Sequence, residues 1–268
     1  SFRGDTSGII VSEALAFMEK AAKGRQPFLS VIWDGSPHSP WRALKKDQEA
    51  FAELDNRSRQ QYGELAAFDR AVGELRAGLR RLGVEQNTIL WFCSDNGGLP
   101  RIQPDTVGGL RGHKSDVWEG GLRVPGILEW PGTVAPRVTD HPACTMDIFP
   151  TLAGVLGLES SVMLSPLDGA DLQPLLRREV KSRRDPIGFR FRGQGAWLDN
   201  DLKLVATNVG KGSFELYDLA EDPRESRDLA VSRAKDFERM KKGFLAWDAS
   251  VAASVRGADY PEGKVRDD

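Results

Sequence analysis

The chain has 268 residues, with 37 Lys and Arg against 39 Asp and Glu, for a formal net charge of −2. Hydrophobic residues make up 40% and charged residues 28%, which suits a chain that buries one large core, or one core and a smaller companion. The near balance of charge gives no global field for nucleic acid or an anionic membrane. No apolar run reaches the ~20 residues of a membrane span.

Apolar residues at Ile9, Ile10, Ala14, Phe17, Met18 and Ala21 fit an amphipathic helix over residues 8–23. Pro27 to Trp33 reads as a short buried strand, stopped by the Pro- and Gly-containing loop 35–40. Tyr62, Leu65, Phe68, Val72, Leu75, Leu79 and Leu82 recur at spacings of three and four, predicting a second helix over about 58–82, with Gly83 at its C-terminal cap. Thr88 to Cys93 is a second strand-like run, and it ends abruptly at Ser94-Asp95-Asn96-Gly97-Gly98. Helix, strand and polar loop in this order is the pattern of a mostly parallel α/β sheet flanked by helices, in which loops after the strand ends hold the site.

Residues 99–125 are Gly-rich. Val124 to Trp130 reads as a strand closed by Pro131-Gly132, and Met146 to Leu156 as a helix. The basic stretch near 177–184 places a boundary at about 180/181. It divides a 1–180 α/β part from a small 181–268 α+β part. The second part carries four short strands (187–192, 195–198, 203–207, 214–218) in an antiparallel sheet, packed with a last helix bearing Phe237, Met240, Phe244, Trp247 and Val251. Two cysteines, Cys93 and Cys144, make no disulfide framework, and the redox compartment stays open.

Three loops can carry chemistry. Asp95-Asn96 offers two adjacent oxygen donors to a hard cation; the same Asp-Asn-Gly-Gly is also ordinary turn chemistry. His38, held between Pro37 and Pro40, is placed to donate to an anion or act as an acid, or is a plain surface residue. Arg111-Gly112-His113-Lys114-Ser115 combines close backbone approach with a compact cation, or is a solvated basic loop. The basic run at 177–184 reads as a solvated face or as a landing strip for a polyanion. No Gly-x-Ser-x-Gly elbow, P-loop, His-Glu-x-x-His or zinc-type cysteine cluster is present.

The order of these pieces resembles the C-terminal half of the type I, formylglycine-dependent sulfatases of the alkaline-phosphatase-like superfamily. The resemblance is carried by Pro37-His38-Ser39-Pro40-Trp41 and Asn87 to Gly98. It continues in Leu110-Arg111-Gly112-His113-Lys114, Trp118-Glu119-Gly120-Gly121-Leu122-Arg123-Val124-Pro125, Trp130-Pro131-Gly132, and Glu215 to Pro223. It implies a sulfuric ester hydrolase, arylsulfatase-like, in which Asp95 and Asn96 ligate Ca2+. Lys114 binds a sulfate oxygen, and His38 contacts the sulfate or the leaving-group oxygen. His113 stands beside the lysine with its role open, while Glu119 and Arg123 are structural.

The resemblance also implies a sulfated small molecule or sulfated polysaccharide as substrate and an extracytoplasmic location, with oligomeric state left open. No signal peptide precedes the first helical pattern, and an upstream piece is free to carry one. Neither Cys93-Ser94-Asp95-Asn96-Gly97 nor Cys144-Thr145-Met146-Asp147-Ile148 fits the formylglycine motif Cys/Ser-x-Pro/Ala-x-Arg. The expectation is therefore a partial sequence whose nucleophile lies upstream, and whose chain alone is inactive. The alternatives are a phosphate or phosphonate ester hydrolase of the same superfamily, and an inert fragment.

Overall fold

A computed structural model describes residues 5–259 except 160, 162 and 164. In chain order the elements are α1 (Thr6–Lys23), α2 (Lys45–Gln48), α3 (Asn56–Arg81), β1 (Leu90–Cys93), α4 (Glu119–Leu122), β2 (Gly126–Glu129), α5 (Ile148–Val155) and α6 (Gln173–Arg177). They are followed by β3 (Ile187–Phe191), β4 (Gln194–Asp199), β5 (Leu202–Asn208), β6 (Ser213–Asp218) and α7 (Ala234–Val255). The chain divides into two compact units: 1–92 with 100–106 and 127–135, and 93–99 with 107–126 and 136–268. The boundary expected at 180/181 falls inside the second unit.

In the first unit, side chains close the helix starts. The Asp5 carboxylate accepts from the Gly8 amide at 2.7 Å, and Asp55 accepts from Arg57 and Ser58. Val11 and Met18 of α1 pack on Ala71, Leu75 and Leu79 of α3. Each large aliphatic side chain removed from water here contributes about 1.5–3 kcal/mol. The helices approach closely because the facing positions of α3 are small. A methyl group at Gly78 would lie 2.2 Å from Leu15 Cδ2. Gly83 leaves α3 in the left-handed region at φ 68°, which glycine adopts without cost.

β1 and β2 form a two-stranded sheet, and both are only half-buried or exposed. The expected strand over 27–33 is not paired as a strand among the described residues. Phe28 and Ile32 pack on the α1–α3 core, while Leu29, Val31 and Trp33 are exposed by 74%, 67% and 86%. A buried strand needs cover on both faces, and only one face is covered here.

In the second unit, β3-β4-β5-β6 form an antiparallel meander, and the alternation of side chains along β5 decides what each face meets. Leu204 and Ala206 face α7, where Met240 and Phe244 are fully buried. Val205 lies on the opposite face with Ala196 and Tyr217, against Val117, Trp118 and Leu122. The sheet is thus sandwiched between α7 and the segment that leads into α4. The predicted C-terminal sheet and helix are both present. The basic run holds a surprise: Arg183 is 5% exposed and clamps the buried Asp147 through two hydrogen bonds of 2.7 and 2.8 Å.

Candidate active site

The second unit brings four of the five sequence-identified site residues onto two interlocked loops. β1 ends at Cys93, and Ser94 Oγ donates to the Asn96 carbonyl at 3.0 Å, closing the turn that presents Asp95 and Asn96. The neighbouring loop turns on itself at His113–Asp116. There the His113 amide donates to Asp116 Oδ2 and the Asp116 amide to the His113 carbonyl, both at 2.9 Å.

The two loops then exchange backbone hydrogen bonds. The Gly97 amide donates to the Gly121 carbonyl at 2.9 Å, and the Lys114 amide to the Gly98 carbonyl at 2.8 Å. Glycine makes this possible. A Cβ at Gly97 would stand 1.9 Å from the Gly120 carbonyl oxygen, and one at Gly120 would stand 2.1 Å from the Gly112 oxygen. Asp95 and Asn96 are therefore fixed relative to His113 and Lys114 by main-chain contacts that no other residue type permits.

Asp95 is exposed, and Asn96, His113 and Lys114 are half-buried. The Asp95 carboxylate makes no hydrogen bond or ion pair among the described residues, which leaves its oxygens available to a cation. An adjacent carboxylate and amide suit calcium in donor type, since both offer hard oxygen atoms. Among the described residues no three His, Cys, Asp or Glu side chains gather around a common point.

His38 belongs to the first unit. Its ring is exposed, its amide donates to the Gly35 carbonyl at 2.8 Å, and Nδ1 lies 2.7 Å from the Ser39 carbonyl. A carbonyl only accepts, so Nδ1 carries the hydrogen in this contact and Nε2 is the ring nitrogen left for another partner. Around it, Trp41 Nε1 donates to the Pro37 carbonyl at 2.7 Å, and the Arg57 guanidinium lies 4.9 Å above the Trp41 ring. The loop is braced, as its prolines led one to expect.

Cys93 lacks the setting of a nucleophile. Burial pushes the Cys93 thiol up, with Asp95 adding to the effect, so thiolate is disfavoured. Cys144 caps the turn that starts α5, its amide donating to Asp147 Oδ2 at 2.7 Å. Neither cysteine lies in the Cys/Ser-x-Pro/Ala-x-Arg motif in which formylglycine is made.

Glu119, structural by its sequence context, has two partners that no local pattern announces. Glu119 is buried, and its Oε1 accepts from Lys203 Nζ at 2.8 Å; that ammonium also lies 2.8 Å from Glu225 Oε1. Glu225 Oε2 accepts from the Glu119 amide at 2.6 Å. The only signal in the sequence was a lysine inside an otherwise apolar strand, Leu202-Lys203-Leu204-Val205.

The Sulfatase family model matches residues 4–158, and the chain belongs to that family. Arylsulfatase A of Homo sapiens is 34% identical over 243 residues, covering 79% of this chain and 46% of that enzyme. The crystal structure of Ps i-CgsB in complex with k-i-k-neocarrahexaose aligns with a TM-score of 0.81 at 28% identity, over 90% of this chain and 54% of that one. A protein in the alkaline phosphatase superfamily from Vibrio parahaemolyticus shares the fold, with a TM-score of 0.69 at 17% identity over 95% of this chain and 57% of that one. The architecture is the α/β fold of the alkaline-phosphatase-like sulfatases, and the chain spans about half the length of these relatives.

Proposed function

We propose that these residues form the cation- and anion-holding side of the active site of an arylsulfatase-like sulfuric ester hydrolase. The observation that carries this reading is the glycine-mediated interlock, which ties the loop bearing Asp95 and Asn96 to the loop bearing Lys114 through main-chain hydrogen bonds. A sulfate ester, a tetrahedral group whose single negative charge is spread over three terminal oxygens, suits that pairing: a cation on one set of oxygens and a compact ammonium on another. Asp95 and Asn96 would hold Ca2+, which when bound supplies charge neutralisation for the sulfuryl oxygens. Lys114 binds a sulfate oxygen, and His113 borders the same anion.

His38 acts at the leaving group. With Nδ1–H held on Ser39, Nε2 is the nitrogen that takes up a proton and hands it to the departing oxygen. No step is assigned to Cys93 or Cys144. The nucleophile is assigned to residues preceding this part of the domain, and residues 1–180 to the catalytic α/β part, with 181–268 as its C-terminal companion. The substrate class is a sulfated small molecule or sulfated polysaccharide. The carbohydrate in the Ps i-CgsB complex supports the second. An extracytoplasmic site of action fits such substrates. Among the described residues no helix is long and apolar enough to cross a membrane.

The test is a paired assay on the natural gene product that carries these residues, using 4-nitrophenyl sulfate and 4-nitrophenyl phosphate. Sulfate turnover should dominate and fall on calcium chelation, and Asp95→Ala should remove the calcium dependence. Faster phosphate turnover would assign the chain to the phosphate-ester branch of the superfamily.

A further inference from the structure

Lys203 is 1% exposed on β5, facing the same side of the sheet as Val205, towards the 117–122 segment. Its ammonium sits between two carboxylates that come from far along the chain on either side, Glu119 and Glu225. Burying three charges is expensive, and apolar residues of the same volume serve cohesion as well or better. A buried ionic cluster therefore points to a demand for one particular arrangement rather than for adhesion.

The backbone adds a second sign. Glu225 is 0% exposed and sits in the left-handed region at φ 54°, a costly conformation for a residue with a side chain. From that position it grips the 111–122 segment at both ends. Its carboxylate takes the Glu119 amide at 2.6 Å, and its carbonyl takes Arg111 Nη1 at 2.8 Å. Arg111 in turn lies 3.5 Å above the Trp118 ring, and the Arg111 carbonyl accepts from the Gly120 amide at 2.7 Å. The segment so held is the one that carries His113 and Lys114 and that bonds the Asp95–Asn96 loop through Gly121 and Lys114.

We propose that Lys203, Glu119 and Glu225 are positioning residues: the ionic cluster sets the register between the C-terminal sheet and the 111–122 loop, and thereby the placement of Lys114 against Asp95 and Asn96. This rests on the sulfatase reading of that site. The cluster touches no reacting group. It acts through the loop, and it makes the C-terminal sheet a working part of the anion site.

The experiment compares the natural gene product with the apolar triple variant K203M/E119M/E225M and the near-isosteric Glu225→Gln, reading amide hydrogen exchange peptide by peptide together with thermal unfolding. The triple variant should keep its melting temperature within a few degrees, since apolar replacement of buried ions is often neutral. Peptides containing the Gly97 and Lys114 amides should nevertheless exchange at least about tenfold faster, with β4, β5 and α7 unchanged. Glu225→Gln should show the same local effect at about threefold, and it decides the matter if the triple variant does not fold. Unchanged protection at 94–98 and 111–122, or an increase spread evenly over the sheet, would overturn the proposal. These readouts need no substrate. An intact exchange pattern without aryl sulfate turnover would instead tell against the sulfatase reading.

Discussion

Arg183 meets Asp147 fork to fork, Nη1 on Oδ2 at 2.7 Å and Nη2 on Oδ1 at 2.8 Å, with side-chain exposures of 2% and 0%. The pair is further satisfied: Asp147 accepts from the amides of Ala170 and Cys144, and Arg183 Nε donates to the Asp185 carbonyl. Removing one partner strands a buried charge. Arg183→Ala should therefore cost about 3–5 kcal/mol in chemical unfolding. Arg183→Lys should lose a large part of that, because an ammonium cannot reproduce the planar fork. A cost under 1 kcal/mol would show that water reaches Asp147.

Gly97→Ala tests the interlock of the two loops. The added methyl would collide with backbone, 1.9 Å from the Gly120 oxygen, and backbone cannot rotate away as a side chain can. The expected result is a stability loss of about 1–3 kcal/mol, as for other overpacked sites. Calcium affinity should weaken in the same variant, measured by titration calorimetry on the gene product that carries these residues.

Lys114→Ala in that enzyme should lower kcat for an aryl sulfate by about 10²–10³, the usual effect of removing one preorganised charge partner. A loss below about twofold would detach Lys114 from the anion.

A pH dependence follows from Arg76 and Glu129, which join α3 to β2 at 2.8 and 2.9 Å. The hydrogen bond from Arg76 holds the Glu129 carboxyl below its ordinary value. The ordinary value is 4.5, so the stabilisation is present above that pH and is lost as the pH falls below it. Both side chains are more than a third exposed, so the contribution is at most about 0.5 kcal/mol. Arg76→Ala should flatten the acid side of the stability curve by that amount and leave it unchanged only if the pair is fully screened.

Local pattern made much of the fold legible. α1, α3 and α7 were visible because apolar residues recur at helical spacing, and the four C-terminal strands because their runs are short and bounded by turns. The core face of α3 was read through its large residues, yet Ala67, Ala71 and Gly78 line it as well. Small side chains carry little hydrophobic signal, and at Ala71 and Gly78 they let α1 approach. Residues 27–33 carry strand-forming side chains, but pairing depends on neighbours that a local window does not contain.

At the candidate site, Asp95, Asn96, His113 and Lys114 could be named by residue type, and Gly112 in the second loop pointed to close backbone approach, while Gly97-Gly98 read as a turn. What each glycine contacts was not legible: Gly97 answers to Gly120 and Gly121 across an intervening loop. Lys203 pairs with partners 84 positions earlier and 22 later, and Arg183 reaches back 36 positions to Asp147. Long-range ion pairs leave no periodicity. In the basic stretch around residue 183, a clamp and a solvated charge are written with the same letter.

Trp33, bare over most of its ring at the end of the 27–33 segment, gives the protein an optical reporter of its own. Its emission belongs to the long-wavelength side of the seven-tryptophan spectrum, and whatever comes to lie on that row of side chains will shift the light towards the blue. Comparing spectra before and after Trp33→Phe isolates that one contribution without any added dye.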